Sequence, residues 1–290
     1  MNKKILIAGT RLTGDELHIG TYYGWVYQIK RAQKDYNVII MISDFQSLDN
    51  NYDSSYSLVA KKLKENLKKL LPNVPIIIES DIKDILKLGF LIQKSFKPRY
   101  YNRVMPIRKQ IDNNGQISFH TLLYPSLMVA DILALNAEVM FNKPEGLFQH
   151  SEVVNNVIDD LNKKYSFEYN KMSVFNKQHI NILSLDSTGP MKRNRKEHGM
   201  IEIEGITEES VYNKLKNCSP EVIESIVTSI EYLYKKEDLK NAEFIKQLSK
   251  KIVDDIKPNY GESFLSEEEI IKNANKNVDY YIKKITNYEN

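Results

Sequence analysis

The chain has 290 residues, too many for one small domain and enough for a large α/β unit with a smaller companion. Apolar residues make up 42% and charged residues 27%, which excludes a disordered or low-complexity chain and permits a sizeable core. A net charge of +3 excludes a globally basic nucleic-acid binder, and a single cysteine, Cys218, excludes an internal disulfide or a cysteine metal cluster.

Lys4 to Ala8 is a short apolar run that ends at Gly9 and predicts a buried first strand. No run approaches the ~20 apolar residues of a membrane span, and this one is too short for a signal-peptide core. A soluble, cytoplasmic protein with no membrane partner is therefore expected. A loop holding Gly14 leads into a helical pattern from about Gly20 to Lys34. Val38 to Ile42 predicts a second strand. Ser55 to Leu71 carries Leu58, Leu63, Leu67 and Leu70 at helical spacing. Ile76 to Ile78 is a third strand and Asp81 to Lys94 a third helix. Strands alternating with helices predict a Rossmann-like parallel sheet with covering helices.

Pro98 to Gly115 is polar and reads as a loop with a turn at Asn113-Asn114-Gly115. Leu122 to Leu135 is strongly apolar and helical. Glu138 to Phe141 is a strand candidate, Gly146 to Lys164 a helix and Ile180 to Leu185 a final strand. A loop rich in Gly, Pro and charge follows at 186–199. From about Thr207 the pattern is helical: Glu208 to Leu215, Pro220 to Tyr234, Leu239 to Ile256 and Glu267 to Ile285. The change of pattern predicts a catalytic domain over 1–205 and an all-α C-terminal domain over 206–290.

Three segments carry candidate chemistry. Gly9 to Gly24 reads strand, glycine loop, helix start, and an open helix N-terminus is a natural phosphate site. His18 stands where it can donate to a phosphate, and Gly20 lets a nucleotide approach the backbone. In the apolar helix, Tyr124, Met128 and Asp131 share one face by their spacing. A carboxylate on an apolar face is costly unless paired, either by an N–H of a bound aromatic ligand or by a structural partner. In the 186–199 loop, Lys192, Arg193, Arg195 and Lys196 form a cationic run able to clamp a triphosphate or simply to face solvent. Each segment is weak when taken singly.

In this order, the segments resemble the class I aminoacyl-tRNA synthetases, and within them the tryptophanyl type. His18-Ile19-Gly20-Thr21 stands where that family has its HIGH-type signature, and Asp186 to Asn194 where it has its KMSKS-type loop. Tyr124 to Asn136 resembles the tryptophan-binding helix, and Glu145 to Asn162 the helix after it. The tail Phe244 to Ile285 is similar to the family's C-terminal helices. The resemblance implies ATP and Mg²⁺ as cofactors, tryptophan or another indole-bearing molecule as substrate, tRNA as acceptor, and a homodimer. It implies ATP contacts at Gly9, Thr10, Arg11, His18, Gly20, Thr21, Met191 and Arg193, with His18, Lys192 and Arg193 serving catalysis. It implies substrate contacts at Ile7, Gln46, Tyr124, Met128, Asp131, Ile132, Leu147 and Gln149, with Asp131 accepting the indole N–H.

Departures from the family pattern fall in the same places. Thr21 replaces an Asn or His, and Arg193 replaces a lysine, exchanging a point donor for a planar fork. Leu147 stands where the family has a Gln for the substrate amino group. Arg11 and Gln46 stand where Gln and His are usual, and the segment between Cys218 and Phe244 is short. Ordinary tryptophan charging is the first expectation. A repurposed paralogue acting on a tryptophan-like acid without charging tRNA, and a non-catalytic ligand sensor, stay open on the sequence alone.

Overall fold

The computed structural model describes the chain except residues 1–2, 13, 48–55, 102, 105–106, 108–116, 143–147, 177–179, 193–197, 259–262 and 290, and the side chains of 142, 148, 149 and 289. Five strands form one sheet: β1 (Ile5–Arg11), β2 (Asn37–Ser43), β3 (Ile76–Ile78), β4 (Val139–Asn142) and β5 (Ser173–Asn176). Their order is β3-β2-β1-β4-β5, and every pairing is parallel. Alternate residues of a strand point to opposite faces. Leu6, Ala8, Ile40 and Ile42 therefore enter one apolar core, and Ile7, Ile39 and Met41 the other. Burial on both faces explains why β1 to β3 read as unbroken apolar runs.

The predicted elements are found with small shifts in bounds, and three differences have local causes. The expected strand over Ile180 to Leu185 is not part of the sheet, whose last strand is Ser173–Asn176. Residues 182–185 instead bond across their own loop, with Ser184 N–H donating to Gly189 O at 2.8 Å and Met191 N–H donating to Ile182 O at 2.8 Å. The polar stretch after Lys97 begins with a short helix, Pro98–Tyr101, and its Asn-Asn-Gly turn lies outside the described residues. The helix from Pro220 stops at Ser229, close to Glu231, whose φ of 54° is left-handed.

The helical stretch over 19–32 starts as α1 (Ile19–Thr21), widens into a π-turn (Tyr22–Val26), and continues as α2 (Tyr27–Ala32). α3 (Tyr56–Leu70) covers the same face of the sheet; α4 (Ile85–Gln93) lies on the other, and α5 is the short Pro98–Tyr101 helix. α6 (Phe119–Leu135) is buried nearly all round, as expected of a helix wedged between a sheet and other helices. Ser118 caps it, accepting from Thr121 N–H at 3.1 Å. α7 (Phe148–Tyr165) leads to β5.

The helices after residue 205 divide between the two cores. α8 (Glu208–Leu215), α9 (Pro220–Ser229) and α10 (Ala242–Asp255) bury Val211, Ile226 and Leu248 in the first. The long α11 (Glu267–Glu289) buries Ala274, Val278 and Ile285 in the second, beside α6. Glu267, at its start, pairs with Lys64 and Lys68 of α3 at 2.7 Å and accepts from Ile76 N–H at 2.9 Å.

A second tie joins α10 to the π-turn. Tyr23 O–H donates to Asp255 Oδ2 at 3.0 Å, Tyr22 O–H donates to the Asp255 carbonyl, and Lys251 pairs with the same carboxylate. Burial, then the neighbouring Asp255 charge, raises both tyrosines above the usual phenol range. Asp255→Ala strands the buried Tyr23 hydroxyl, and is expected to lower the unfolding free energy by about 1–3 kcal/mol in urea titration. Lys251→Ala, at a half-exposed position, should cost less than about 1 kcal/mol.

Candidate active site

In an open parallel sheet, ligands bind outside the carboxyl ends of the strands where the order reverses direction. Here that point lies between β1 and β4. A cavity of about 190 Å³ opens there, lined by Gly9, Thr10 and Arg11 of β1, Met41 and Ser43 of β2, and Met140 and Phe141 of β4. Tyr124, Met128, Asp131 and Ile132 of α6 close one side, with Ile7, Gln46 and His150 completing the wall. A dry cavity of ~150 Å³ takes benzene, so this one is sized for a single aromatic side chain.

Nine residues expected from the sequence meet in this one cavity: Ile7, Gly9, Thr10, Arg11, Gln46, Tyr124, Met128, Asp131 and Ile132. Leu147 and Arg193 lie outside the described residues, as does the side chain of Gln149. Met41, Ser43, Met140, Phe141 and His150 were not anticipated as wall residues. Their signal was position alone, at or near strand ends or one turn into α7. Glu79, behind the wall, announced itself as a carboxylate directly after the buried strand Ile76–Ile78.

The polar groups of the cavity are deeply buried. Asp131 is 3% exposed and Glu79 0%. Gln46 Nε2 donates to both, at 2.8 Å to Asp131 Oδ2 and 3.2 Å to Glu79 Oε1. Among the described residues, none donates an N–H or O–H to Asp131 Oδ1 or Glu79 Oε2. Burial pushes Glu79 up to about 8 against the Gln46 hydrogen bond, with Asp44 nearby adding to the rise. Burial and then the Glu79 charge push Asp131 well above the ordinary carboxylate range. His150 packs edge-on to Tyr124 with ring centroids 6.0 Å apart. Burial lowers it to about 4, so it is a neutral imidazole at pH 7, and among the described residues its Nε2 has no hydrogen-bond partner. The Arg11 guanidinium stands 5.7 Å from the Tyr124 ring centre, at the opposite end of the polarity scale from the carboxyls.

The glycine loop departs from its expected form. The helix N-terminus at Ile19 is capped from within. His18 Nδ1 accepts from Thr21 N–H at 3.2 Å, its Nε2 lies 3.0 Å from Thr21 Oγ1, and Ile19 N–H donates to Ile201 O at 3.0 Å. A Cβ at Gly20 would meet the His18 ring at 3.1 Å and Met191 Cβ at 3.3 Å, so close packing of the protein on itself favours the glycine. The same contact brings the 186–199 loop against the His18 turn, with Met191 buried and Lys192 exposed. The feet of that loop are joined. Asp186 Oδ2 lies 2.6 Å from His198 Nδ1, and Asp186 Oδ1 accepts from Ser184 and Thr188. These hydrogen bonds outweigh desolvation and hold the Asp186 carboxyl well below the usual range.

A doubly wound α/β fold with a small aromatic-sized cavity at its switch point, beside a glycine turn, is the arrangement in which Rossmann-type sheets hold small ligands. The sequence profile of the tRNA synthetases class I (W and Y) matches residues 2–280, and the chain belongs to that family. The tryptophan–tRNA ligase of Oceanobacillus iheyensis is 26% identical over 175 residues, 56% of this chain and 50% of that protein. The match thus spans about half the length of that relative. The tryptophanyl-tRNA synthetase of Mycoplasma pneumoniae superposes with a TM-score of 0.67 at 16% identity, over 98% of this chain and 97% of the other. That of Campylobacter jejuni, complexed with ADP and tryptophan, gives 0.64 at 16% identity, over 98% and 91%.

Because Glu79 keeps its proton in the folded protein up to about pH 8 but loses it near the ordinary carboxylate value when unfolded, the native state binds the extra proton between those values. Its contribution to stability is fully present below the unfolded pKa and is lost as pH rises through that window. Denaturation of Glu79→Gln across the same range should show a shallower decline than the native protein, checked by urea midpoints at successive pH values.

Proposed function

We propose that the protein activates tryptophan with ATP and passes the aminoacyl group to tRNA. The observation that carries this reading is the buried Asp131 carboxyl at the base of an aromatic-sized cavity, on the helix face it shares with Tyr124 and Met128. An indole N–H is the partner such a group lacks, and a ligand without it would leave Asp131 unpaired. Met128 and Ile132 pack against the ring, and Tyr124 and Arg11 take the polar end of the amino acid. His150 supplies a neutral ring nitrogen beside Tyr124.

The chemistry is attack of the amino acid carboxylate on the α-phosphorus of ATP. The bond to the β-phosphate oxygen breaks, pyrophosphate leaves, and an aminoacyl-adenylate forms. The ribose hydroxyl at the tRNA 3′ end then attacks the acyl carbon and releases AMP. No side chain acts as nucleophile, so catalysis is positioning and charge stabilisation. Gly9, Thr10 and Arg11 line the cavity beside the position of the reacting carboxylate. Lys192 and Arg193 would supply positive charge to the phosphates, and His18 and Thr21 form the turn against which Met191 packs. Among the described residues no three acidic, His or Cys side chains gather as a metal cage. Mg²⁺ would travel on the ATP phosphates, whose charge it offsets. No helix among the described residues is long and apolar enough to cross a membrane. A cytoplasmic homodimer, with residues 1–205 as catalytic domain and 206–290 as helical domain, completes the proposal.

Tryptophan-dependent ATP–pyrophosphate exchange tests it, followed by charging of tRNA. Asp131→Ala should lower exchange by at least ~10²-fold while leaving the fold intact by circular dichroism. Unchanged exchange would remove Asp131 from the ligand site. Arg193→Ala should lower kcat by ~10²-fold with little change in the tryptophan KM. An equal loss in both would mean that the loop binds substrate rather than stabilises the reacting phosphates.

A further inference from the structure

Gln46 is buried, lines the cavity, and commits its side-chain nitrogen to two carboxyl groups. Its Nε2 donates to Asp131 Oδ2 at 2.8 Å and to Glu79 Oε1 at 3.2 Å, so both amide hydrogens have an acceptor. The amide cannot turn about its last torsion without giving up both. The turn that carries it, Phe45–Ser47, is held as firmly. Ser47 N–H donates to Asp44 O at 3.0 Å, and Ser47 Oγ donates to Ser43 O at 2.7 Å and accepts from Leu12 N–H at 2.9 Å. Tyr56 O–H donates to Asp44 O at 2.6 Å. His120 Nε2 lies 2.7 Å from the Phe45 carbonyl, so the helix that carries Asp131 also holds this turn. The last torsion of an aspartate is broad and two-fold, and a rotamer alone does not fix the plane of its carboxyl. At Asp131 the hydrogen bond from Gln46 does so.

We propose that Gln46 is a positioning residue that sets ring specificity: by donating to Asp131 Oδ2 it leaves Oδ1 as the one oxygen offered to a ligand, and makes a ring N–H the condition of tight binding. The inference rests on the reading that Asp131 meets the ring of an aromatic amino acid, and adds the residue that aims its carboxyl. Oδ1 is buried, and among the described residues nothing donates to it. With a ligand N–H on Oδ1 and Gln46 on Oδ2, each oxygen has a donor, which lets a carboxylate keep its charge out of water. The empty site lacks the second donor, in keeping with the rise of Asp131 above the ordinary carboxylate range. An ionised acceptor holds an N–H about twice as strongly as a neutral one. Without Gln46 the ligand N–H is the single donor to a carboxyl that stays neutral and swivels on its two-fold torsion. The ring N–H then gains no more than an ordinary hydrogen bond, while the apolar walls still hold the ring.

The test compares binding of tryptophan with that of its benzothiophene isostere, in which a sulfur replaces the N–H, by calorimetry on the full chain. The native protein is expected to favour tryptophan by at least ~10²-fold. Gln46→Leu, of similar size but with no donor, is expected to cut that ratio at least ~10-fold by weakening tryptophan, with the sulfur analogue changed by less than ~3-fold. In pyrophosphate exchange the same variant should raise the tryptophan KM at least ~10-fold and alter kcat by less than ~3-fold. Gln46→His supplies an N–H of similar reach and should bring the ratio back to within ~3-fold of native. A native ratio in Gln46→Leu overturns the proposal, as does equal weakening of both ligands, which marks a merely structural role. Loss of the ratio in both variants overturns it too, because the amide would then meet the ligand itself. Should Gln46→Leu not fold, Gln46→His decides: a ratio kept supports the role of the donor, and a ratio lost ends it. Asp131→Ala separates this inference from the reading beneath it. Unchanged tryptophan affinity there sinks the aromatic pocket itself, whereas lost affinity alongside a native ratio in Gln46→Leu sinks only the role of Gln46.

Discussion

Two carboxyl groups packed against one amide, out of reach of water, cannot both be charged, and much of this fold exists to keep them that way. Asp131 is held by a helix buried on nearly all sides, Glu79 by the turn that ends β3, and Gln46 by the turn that ends β2. Each of those turns is itself fixed by the parallel register of the strands, so the pair inherits the rigidity of the sheet. Water admitted at this point would dissolve the coupling, since charge on either group would then cost little. The close contact of Gly89 with Leu127, where a Cβ would come within 2.6 Å, shows how tightly α4 and α6 are pressed together above it.

The second half of the chain contributes to that dryness from both sides. α8 to α10 join the core under the glycine turn, and α11 lies along α6. Asn277 of α11 donates to the Ala134 carbonyl at 2.8 Å, near the C-terminal end of α6. The tyrosine clasp on Asp255 reaches the π-turn, only a few residues after His18. The helices after residue 205 thus pack against both the helix that carries Asp131 and the turn that follows His18, rather than standing apart from them.

What was legible in the sequence was what repeats or alternates. β1, β2 and β3 showed as apolar runs because they are covered on both faces, and Asp131 stood out as one charge on an apolar helix. β5 did not, because Ser173–Asn176 is a four-residue edge strand with polar ends and only partial burial. Ile180 to Leu185 misled for the opposite reason: its apolar residues fold into a loop that satisfies its own backbone. His18 and Gly20 stood out as a helix start, and the structure gives them a local part that spacing does not reveal: the histidine caps its own helix and the glycine packs against its ring. Glu79 was visible only as a residue type at a strand end, because partnership with Asp131 across 52 positions of chain has no local pattern. The cationic loop fell partly outside the described residues, so its reading rests on Lys192 and on the family.

The joined feet of the 186–199 loop have a mechanical meaning. With Asp186 tied to His198, and Leu185 N–H donating to Gly199 O at 3.1 Å, the two ends of the segment are fixed to each other. A stretch of chain closed at both ends has less conformational freedom to lose than one anchored at a single end. The number of residues between these ties can therefore change without disturbing the pairing that anchors them.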